Sequence, residues 1–369
     1  MVVTAFAWAD ALNLQPYGFI RANGVFSNRA MSSFGYPNLS APTAVYPESA
    51  FNADLPESSF QLSQSRLGIN LQSGDRLGGQ VEIDFIDFSK STPVQGANPR
   101  LRIANIHFKL TDNDELNLGQ DWDIFSPGSP FTYNPVALYF TAGNAGYFRP
   151  QLRWAHHMSS LTFETALGMA GRNVSPSEND VEQDLVPSFA ARLSYQLSPS
   201  SKMGISAIAG RLRFTTVAPQ AVFREFYGLD VYYQGDLTDS LALRGAVYFG
   251  ENLANSGALT LAMATAVESR HEAGGYLTLR DTFSPYVRLT LGVGGAFILE
   301  DGGSATPVIA DSRIVGNLKG EAAIGYLPVP QLEFFLDDAQ FATQYLGIAS
   351  GQTYVLGGNV VEAGAVYTL

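Results

Sequence analysis

FQLSQSRLGINL (60–71), the turn SGDR (73–76) and LGGQVEIDF (77–85) decide how the rest of this chain is read. In the first run Leu67, Ile69 and Leu71 share one parity, and Arg66, Gly68 and Asn70 share the other. Past the turn, Val81, Ile83 and Phe85 alternate with Gln80, Glu82 and Asp84. Strand side chains point alternately to opposite faces, so each run has one apolar face and one polar, partly charged face. A lone hairpin of this kind suits a soluble sandwich, with the apolar face as core. Its repetition over the whole chain, with no second hydrophobic layer to pack against, favours a closed antiparallel barrel standing in a membrane.

Extending the alternation predicts sixteen strands, near 14–26, 59–72, 77–89, 100–110, 115–122, 151–158, 160–171, 188–198, 202–214, 222–235, 240–250, 268–280, 284–299, 314–326, 331–342 and 352–369. Short turns fall at 73–75, 111–114, 198–201, 235–240, 281–285 and 327–330, with one very tight turn near Ser159. Between them lie long connections at 27–58, 90–99, 123–150, 172–187, 215–221, 251–267, 300–313 and 343–351. Seven short and eight long connections fit an even-numbered barrel with both ends on one side. Short turns then face the periplasm and long loops face outward.

Composition narrows the class further. No linker-like shift interrupts the 369 residues, so 1–369 is expected to be one domain. A run of about 18 apolar residues, which a membrane helix needs, does not occur. The 36 Gly, 24 Phe and 17 Tyr are the residues barrels use at bends and aromatic girdles. With no Cys, disulfide frameworks and thiol chemistry are excluded. A net charge of −12 argues against a nucleic-acid partner, because phosphate binding needs a basic surface. The four His do not suit a metal centre, since adjacent His156 and His157 alternate across a strand. No cofactor and no metal are therefore expected. Without a nucleophile motif, catalysis is not expected either. The sequon Asn173-Val-Ser175 is a chance-level match. Residues 1–11 end in Ala9-Asp10-Ala11 and carry no Lys or Arg, which suits either a truncated signal or an ordinary tail into the first strand.

Parity can be followed from strand to strand. Leu152 and Trp154 should point outward with Arg153 and His157 inward; Phe189, Leu193, Tyr195 and Leu197 outward with Arg192 inward. Leu229, Val231 and Tyr233 oppose Asp230 and Gln234, while Leu241, Leu243, Val247 and Phe249 oppose Arg244. Leu289 and Leu291 oppose Arg288 and Thr290. Charges of both signs on the inner wall require water there, since a dry interior would charge several kcal/mol for each unpaired ion. Strand 100–110 breaks the rule: Leu101 and Ile103 lie on one parity, Ile106, Phe108 and Leu110 on the other. Either a bulge near Ala104 returns both sets to the lipid side, or this face meets a subunit interface.

At this point the sequence resembles the Gram-negative general porins, trimeric sixteen-stranded diffusion channels. SRLGIN (65–70) and LGGQVEIDF (77–85) are similar to that family's second and third strands around their first tight turn. RLRIANIHF (100–108) and ELNLGQDWD (115–123) resemble the fourth and fifth strands, which lead into an infolded third loop. The specific part spans about 58 to 158. AVYTL (365–369) resembles the terminal strand of outer-membrane proteins, with Leu369 where Phe is usual. The resemblance implies a bacterial outer-membrane location and a homotrimer. It also implies lipopolysaccharide as a neighbour, bridged by divalent cations to outer-loop carboxylates such as Glu48, Asp54, Glu57, Glu178, Asp180, Glu182, Asp184, Glu300 and Asp301.

A sixteen-stranded barrel leaves an aqueous lumen, so something must narrow it if passage is selective. The connection 123–150 carries Pro127, Pro130 and Pro135, Gly128, Gly143 and Gly146, and the aromatics Phe125, Phe131, Tyr133, Tyr139, Phe140, Tyr147 and Phe148. Seven aromatics argue against disorder and against an exposed lid, so this constriction loop should fold inward onto the wall. Glu115, Asn117, Asp121 and Asp123 should stand in the lumen at its root. Arg66, Arg100, Arg102, Arg153, Arg192, Arg244 and Arg288, with Arg21 less securely placed, should form a basic wall. Between Phe125 and Phe148 the loop has no acid, so the eyelet is expected to be basic on one side and aromatic on the other, drawing neutral and anionic small hydrophilic solutes. For each arginine the competing expectation is a neighbouring carboxylate such as Glu82, Asp84 or Glu164. The function expected is a passive, water-filled, size-limited diffusion pore. A substrate-selective channel for sugars or small carboxylates, and a non-conducting barrel receptor or adhesin, are the alternatives.

Overall fold

The computed structural model describes residues 12–32, 44–45, 54–86, 98–125, 128–134, 138–146, 148–170, 186–214, 222–261, 268–299, 308–309, 312–347 and 349–369. Outside them lie the 1–11 tail, Tyr147, and the loop acids Glu48, Glu178, Asp180, Glu182, Asp184, Glu300 and Asp301.

Among the described residues sixteen long strands close into one barrel. They are β1 (Leu12–Ser27), β2 (Arg66–Ser73), β3 (Leu77–Asp84), β4 (Arg100–Lys109), β5 (Asp114–Trp122) and β6 (Phe148–Met158). Next come β7 (Leu161–Gly168), β8 (Ser188–Ser198), β9 (Ser201–Phe214), β10 (Val222–Asp236) and β11 (Leu241–Glu251). The last five are β12 (His271–Ser284), β13 (Val287–Ile298), β14 (Ser312–Val329), β15 (Leu332–Gly347) and β16 (Thr353–Thr368). The segment Glu57–Gln61 continues the β2 stave upward, pairing with Asn23–Ser27 while β2 itself pairs with Leu12–Phe19. Neighbours in sequence pair antiparallel, and β1 closes on β16, with Phe19 opposite Thr368 and Ser27 opposite Val360. Every strand thus has two partners, and no sheet edge is left to be satisfied by water. The tight turn expected near Ser159 is present, with Met158 opposite Leu161 and Ser159 at φ 50°.

The side-chain distribution is inverted relative to a soluble protein. Outward positions are large and apolar: Val247 is 61% exposed and Ile106 59%. Inward positions include Asp84 at 0%, Arg102 at 2% and Glu362 at 3%. Apolar groups on the convex face and ions on the concave one are stable only if hydrocarbon lies outside and polar partners or water lie inside. This is the fold of a transmembrane antiparallel barrel.

Strand β4 holds the expected bulge, displaced by two residues from Ala104. Ile83 faces Leu101 and Glu82 faces Ile103, leaving Arg102 as the extra residue. Leu101, Ile106 and Phe108 consequently all face outward, but Ile103 does not: it is 5% exposed and lies on the inner side of the bulge. The bulge turns Arg102 inward, where it meets Glu82 at 2.5 Å and Asp84 at 3.0 Å.

If the convex face meets lipid, Val247→Arg will cost about 2–4 kcal/mol near the bilayer midplane. Guanidinium titration of folding into phospholipid vesicles measures it; an unchanged midpoint would mean this face is wet.

Candidate functional site in the barrel lumen

The connection after β5 enters the barrel and lies along the inner face of β9–β15. Its root is fixed by Asp123, which accepts a hydrogen bond from the Phe125 amide at 2.9 Å and an ion pair from Arg149 at 2.7 Å. Arg149 also donates to the Ser256 carbonyl at 2.8 Å and to the Met169 carbonyl. Asp123 is therefore a buried anchor rather than a pore-lining acid, which corrects its expected role. Arg149 was missed because nothing in its local sequence separates a loop anchor from a wall residue.

Beyond the root the loop crosses to the far wall. The Phe125 carbonyl accepts from Ser206 Oγ, and the Phe131 amide donates to Thr278 Oγ1 at 3.0 Å. Thr132 Oγ1 and the Tyr133 amide donate to Glu321, at 3.1 and 3.4 Å. The Tyr133 hydroxyl donates to Glu333 at 2.6 Å, and its ring stacks on Phe335 at 4.9 Å. Burial, reinforced by Glu333, pushes the Tyr133 phenol well above its ordinary range. The run Gly292-Val-Gly-Gly295 leaves room for this packing: a Cβ at Gly292 would collide with the Tyr139 hydroxyl, and one at Gly294 with the Ala142 carbonyl. Gly143, at φ 114°, lies against the Gly275 carbonyl with the same lack of space.

Two other long connections also turn inward. In the 252–270 connection, Leu253 to Ser256 form a short turn, and Leu253 and Ala258 pack with Phe125 while Leu259 packs with Leu138 and Phe140. In the first connection Val45 is held by Thr343 Oγ1 at 3.2 Å and by the Tyr345 hydroxyl, within a cluster containing Met31, Leu261 and Phe341. Sequence periodicity carried no signal for either insertion, because both are set by contacts between residues more than a hundred positions apart.

The loop aromatics are anchors, not a lumen surface, and this overturns the expected aromatic side of the eyelet. Phe125, Phe131, Tyr133, Tyr139 and Phe140 are all at most 8% exposed. Phe148 begins β6 and sits against Trp122 with the Arg102 guanidinium 4.6 Å above its ring. The basic wall is also divided. Arg100 and Arg102 are held by Asp84 and Glu82, at 2.5 Å in each first contact. Arg192 pairs with Glu164, and Arg153 lies 3.4 Å from Asp121 and 4.0 Å from Glu164. Arg21 is buried against Glu362 and the Phe335 ring. Arg66 has its guanidinium 5.4 Å from the Phe19 ring, and Arg288 is 3.5 Å from Glu333.

Arg244 is different. It donates to the Ser129 carbonyl at 2.8 Å and lies 4.1 Å from the Phe131 ring centre. On the other side of that ring network Arg280 lies 4.6 Å from Phe131 and 5.7 Å from Tyr133, donating to Thr290 Oγ1 at 3.1 Å. Among the described residues neither arginine, nor Lys202, forms a carboxylate ion pair. Lys202 and Arg244 share a cavity of about 490 Å³ with Ser129, Gln196, Gln234 and Asp236, at the short-turn end below the loop. Rings and carbonyls partly replace the water such cations lose. Across the lumen a second cavity of about 480 Å³ is lined by carboxamides: Asn13, Gln15, Asn70, Gln72, Gln80, Asn105 and Asn117, with Glu115, Asp121 and Arg153. Arg280 was missed by sequence reasoning, although its parity with Thr278 would have placed it inward.

No family model and no curated protein sequence matches the chain. Solved structures do. The outer membrane channel DcaP of Acinetobacter baumannii is 14% identical, with a TM-score of 0.74 over 97% of both chains. The anion-selective porin from Comamonas acidovorans is 11% identical, with a TM-score of 0.60 over 97% of this chain and 100% of its own. The trimer form of OmpT, an outer membrane protein of Vibrio cholerae, is 12% identical, with a TM-score of 0.58 over 98% and 100%. These likenesses show the shared fold.

Gly292→Leu will unseat Tyr139, so hydrogen exchange in 138–146 should rise about tenfold or more while the strands stay protected. Equal protection would mean the loop is held without the glycine bed. A raised phenol pKa stabilises below the unfolded value of about 10 and loses that contribution as pH rises through the folded one. Alkaline release of the loop should accordingly shift when Tyr133→Phe removes the titrating group; an identical alkaline profile would show that Tyr133 is not the group responsible.

Proposed function

We propose that this chain is a bacterial outer-membrane porin, a water-filled channel for passive diffusion of small hydrophilic solutes. The inserted third loop limits solute size, and cations beside it that form no direct carboxylate pair favour anionic and neutral solutes. The observation that carries the selectivity is the pair Arg244 and Arg280, which meet Phe131, Tyr133 and neutral oxygens instead of carboxylates. A charge on a water-filled wall bounded by low dielectric attracts counter-ions far more strongly than one in bulk water. The paired arginines contribute little net field, so Arg244 and Arg280, with Lys202, bias it toward anions, against the more distant carboxylates Glu321, Glu333 and Asp236.

The channel and porin names of the similar structures support an outer-membrane location, and the anion-selective one supports the charge preference. The trimer form of OmpT supports a homo-oligomer. Carboxylates of the outer loops, Asp54 and Glu57 among them, would meet lipopolysaccharide through bridging divalent cations. Small carboxylates remain a second reading, favoured by the Lys202–Arg244 cavity. Sugars gripped by loop aromatics are disfavoured, because those rings are buried.

Planar-bilayer recording tests this reading. Steady current steps are expected, with a reversal potential in a KCl gradient that reports anion preference. Arg244→Ala with Arg280→Ala should lower the anion-to-cation permeability ratio by roughly two- to tenfold, the scale of a few kT from two wall charges. Absence of current from the folded barrel would reject the pore, and an unchanged ratio in the double variant would reject these arginines as its selectivity element.

A further inference from the structure

Opposite Arg244, the inner wall toward the short turns is built of carboxamides. Register aligns Gln15, Asn70, Gln80 and Asn105 side by side on β1 to β4. One step nearer the turns a second row runs Asn13, Gln72, Gly78, His107, Asn117 and Arg153, from β1 to β6. The alternate positions Leu14, Ile69, Val81, Ile106, Leu118 and Leu152 are exposed on the convex face, so both rows face inward. Neighbouring strands stand about 4.8 Å apart, so each row presents side chains at that interval. Together they line the cavity of about 480 Å³.

Neighbours fix how two of these amides are turned. Asn105 Nδ2 and Asn117 Nδ2 both donate to Asp121 Oδ2, at 3.2 and 3.3 Å. A carboxylate only accepts, which forces the nitrogens toward it and the amide oxygens away. Those two oxygens are buried and meet no hydrogen-bond donor among the described residues. Asn105 is 8% exposed and Asn117 5%, and both line the cavity. A buried acceptor is unfavourable until something donates to it. Asn13, Gln15 and Asn70 make no side-chain hydrogen bond among the described residues, so each offers both a donor and an acceptor.

This set of groups selects by chemistry. An anion would meet two amide oxygens and the carboxylates of Asp121 and Glu115. A cation gains little, because Asp121 already takes Arg153 Nη2 at 3.4 Å as well as the two carboxamides. An apolar solute would strand the amides without partners. Hydroxyl groups donate and accept as carboxamides do, and a solute bearing several of them meets several amides at once.

We infer that this panel is a binding subsite for neutral polyhydroxylated solutes, sugars or sugar alcohols. The Asn105 and Asn117 oxygens accept from solute hydroxyls, and Gln15 and Asn70 donate to solute oxygens. The inference rests on the porin reading, and it gives neutral solutes a track apart from the cations at Arg244. Aromatic stacking plays no part in it, since among the described residues no Phe, Tyr or Trp lines this cavity.

Binding is measured on the folded barrel in a detergent without a sugar headgroup, by calorimetric titration or saturation-transfer NMR. Sucrose should bind saturably, while triethylene glycol dimethyl ether, whose oxygens only accept, should not. Gln15 and Asn70 are exposed side chains, so replacing them keeps the fold. Gln15→Ala with Asn70→Ala should raise the half-saturating sucrose concentration about tenfold, the loss of two neutral hydrogen bonds. Asn117→Leu, which removes a buried acceptor, should raise it too. Absence of saturable sucrose binding, equal binding of the ether, or unchanged half-saturation in both variants would each overturn the inference. So would acetate or putrescine displacing sucrose at a lower concentration than xylitol does, because the panel would then read charge. Conductance of the same barrel separates the two ideas: sucrose binding without current rejects the pore alone, and current without sucrose binding rejects the subsite alone.

Discussion

In hydrocarbon no backbone N–H or C=O finds water, and the rest of this structure follows from that constraint. Sixteen strands closing β1 onto β16 satisfy the ladder without an edge. Closure at this strand number leaves an interior too wide for wall side chains to fill. The wall therefore faces water and inserted loops, and it tolerates residues such as Asp84, Arg102 and Glu362 that would be ruinous on the other face. Alternation in sequence is the record of these two solvents.

The lumen then becomes a packing problem. Polar wall positions must meet partners, and apolar loop residues must leave water. Glu321 and Glu333 accept from the third loop, while Gly292 and Gly294 make space for Tyr139 and the backbone beside it. Lys319 lies 4.2 Å from the Tyr139 ring and 2.5 Å from Glu321, joining the two kinds of contact at one point. A loop held by such anchors is stiff, because moving one ring uncovers both a buried hydrogen bond and apolar area.

Strand positions, the closed barrel and the inward turn of the 123–150 connection were legible in the sequence, since each depends on period-two patterning or on local composition. Face assignment worked for Arg153, Arg192 and Arg244 for the same reason. What failed depended on partners distant in sequence. Ile103 turned inward because the bulge fell at Arg102, where Glu82 and Asp84 of the neighbouring strand draw the guanidinium. Asp123 became an anchor because Arg149 reaches it from 26 residues away. The aromatics proved to be buttresses because the far wall offers glycines and a matching Phe335 ring, and periodicity does not report which wall a loop will reach.

Charge pairing decides where selectivity can reside. An arginine beside a carboxylate is nearly neutral at a distance larger than their separation, so Arg100, Arg102 and Arg192 mainly fasten strand to strand. An arginine beside a ring or carbonyl keeps its full charge, because those partners orient dipoles without cancelling it. Arg244 and Arg280 belong to the second kind, and both lie against Phe131 of the inserted loop. On the porin function proposed above, field and constriction would coincide there, and a solute would meet the charge where it has fewest waters left to screen it.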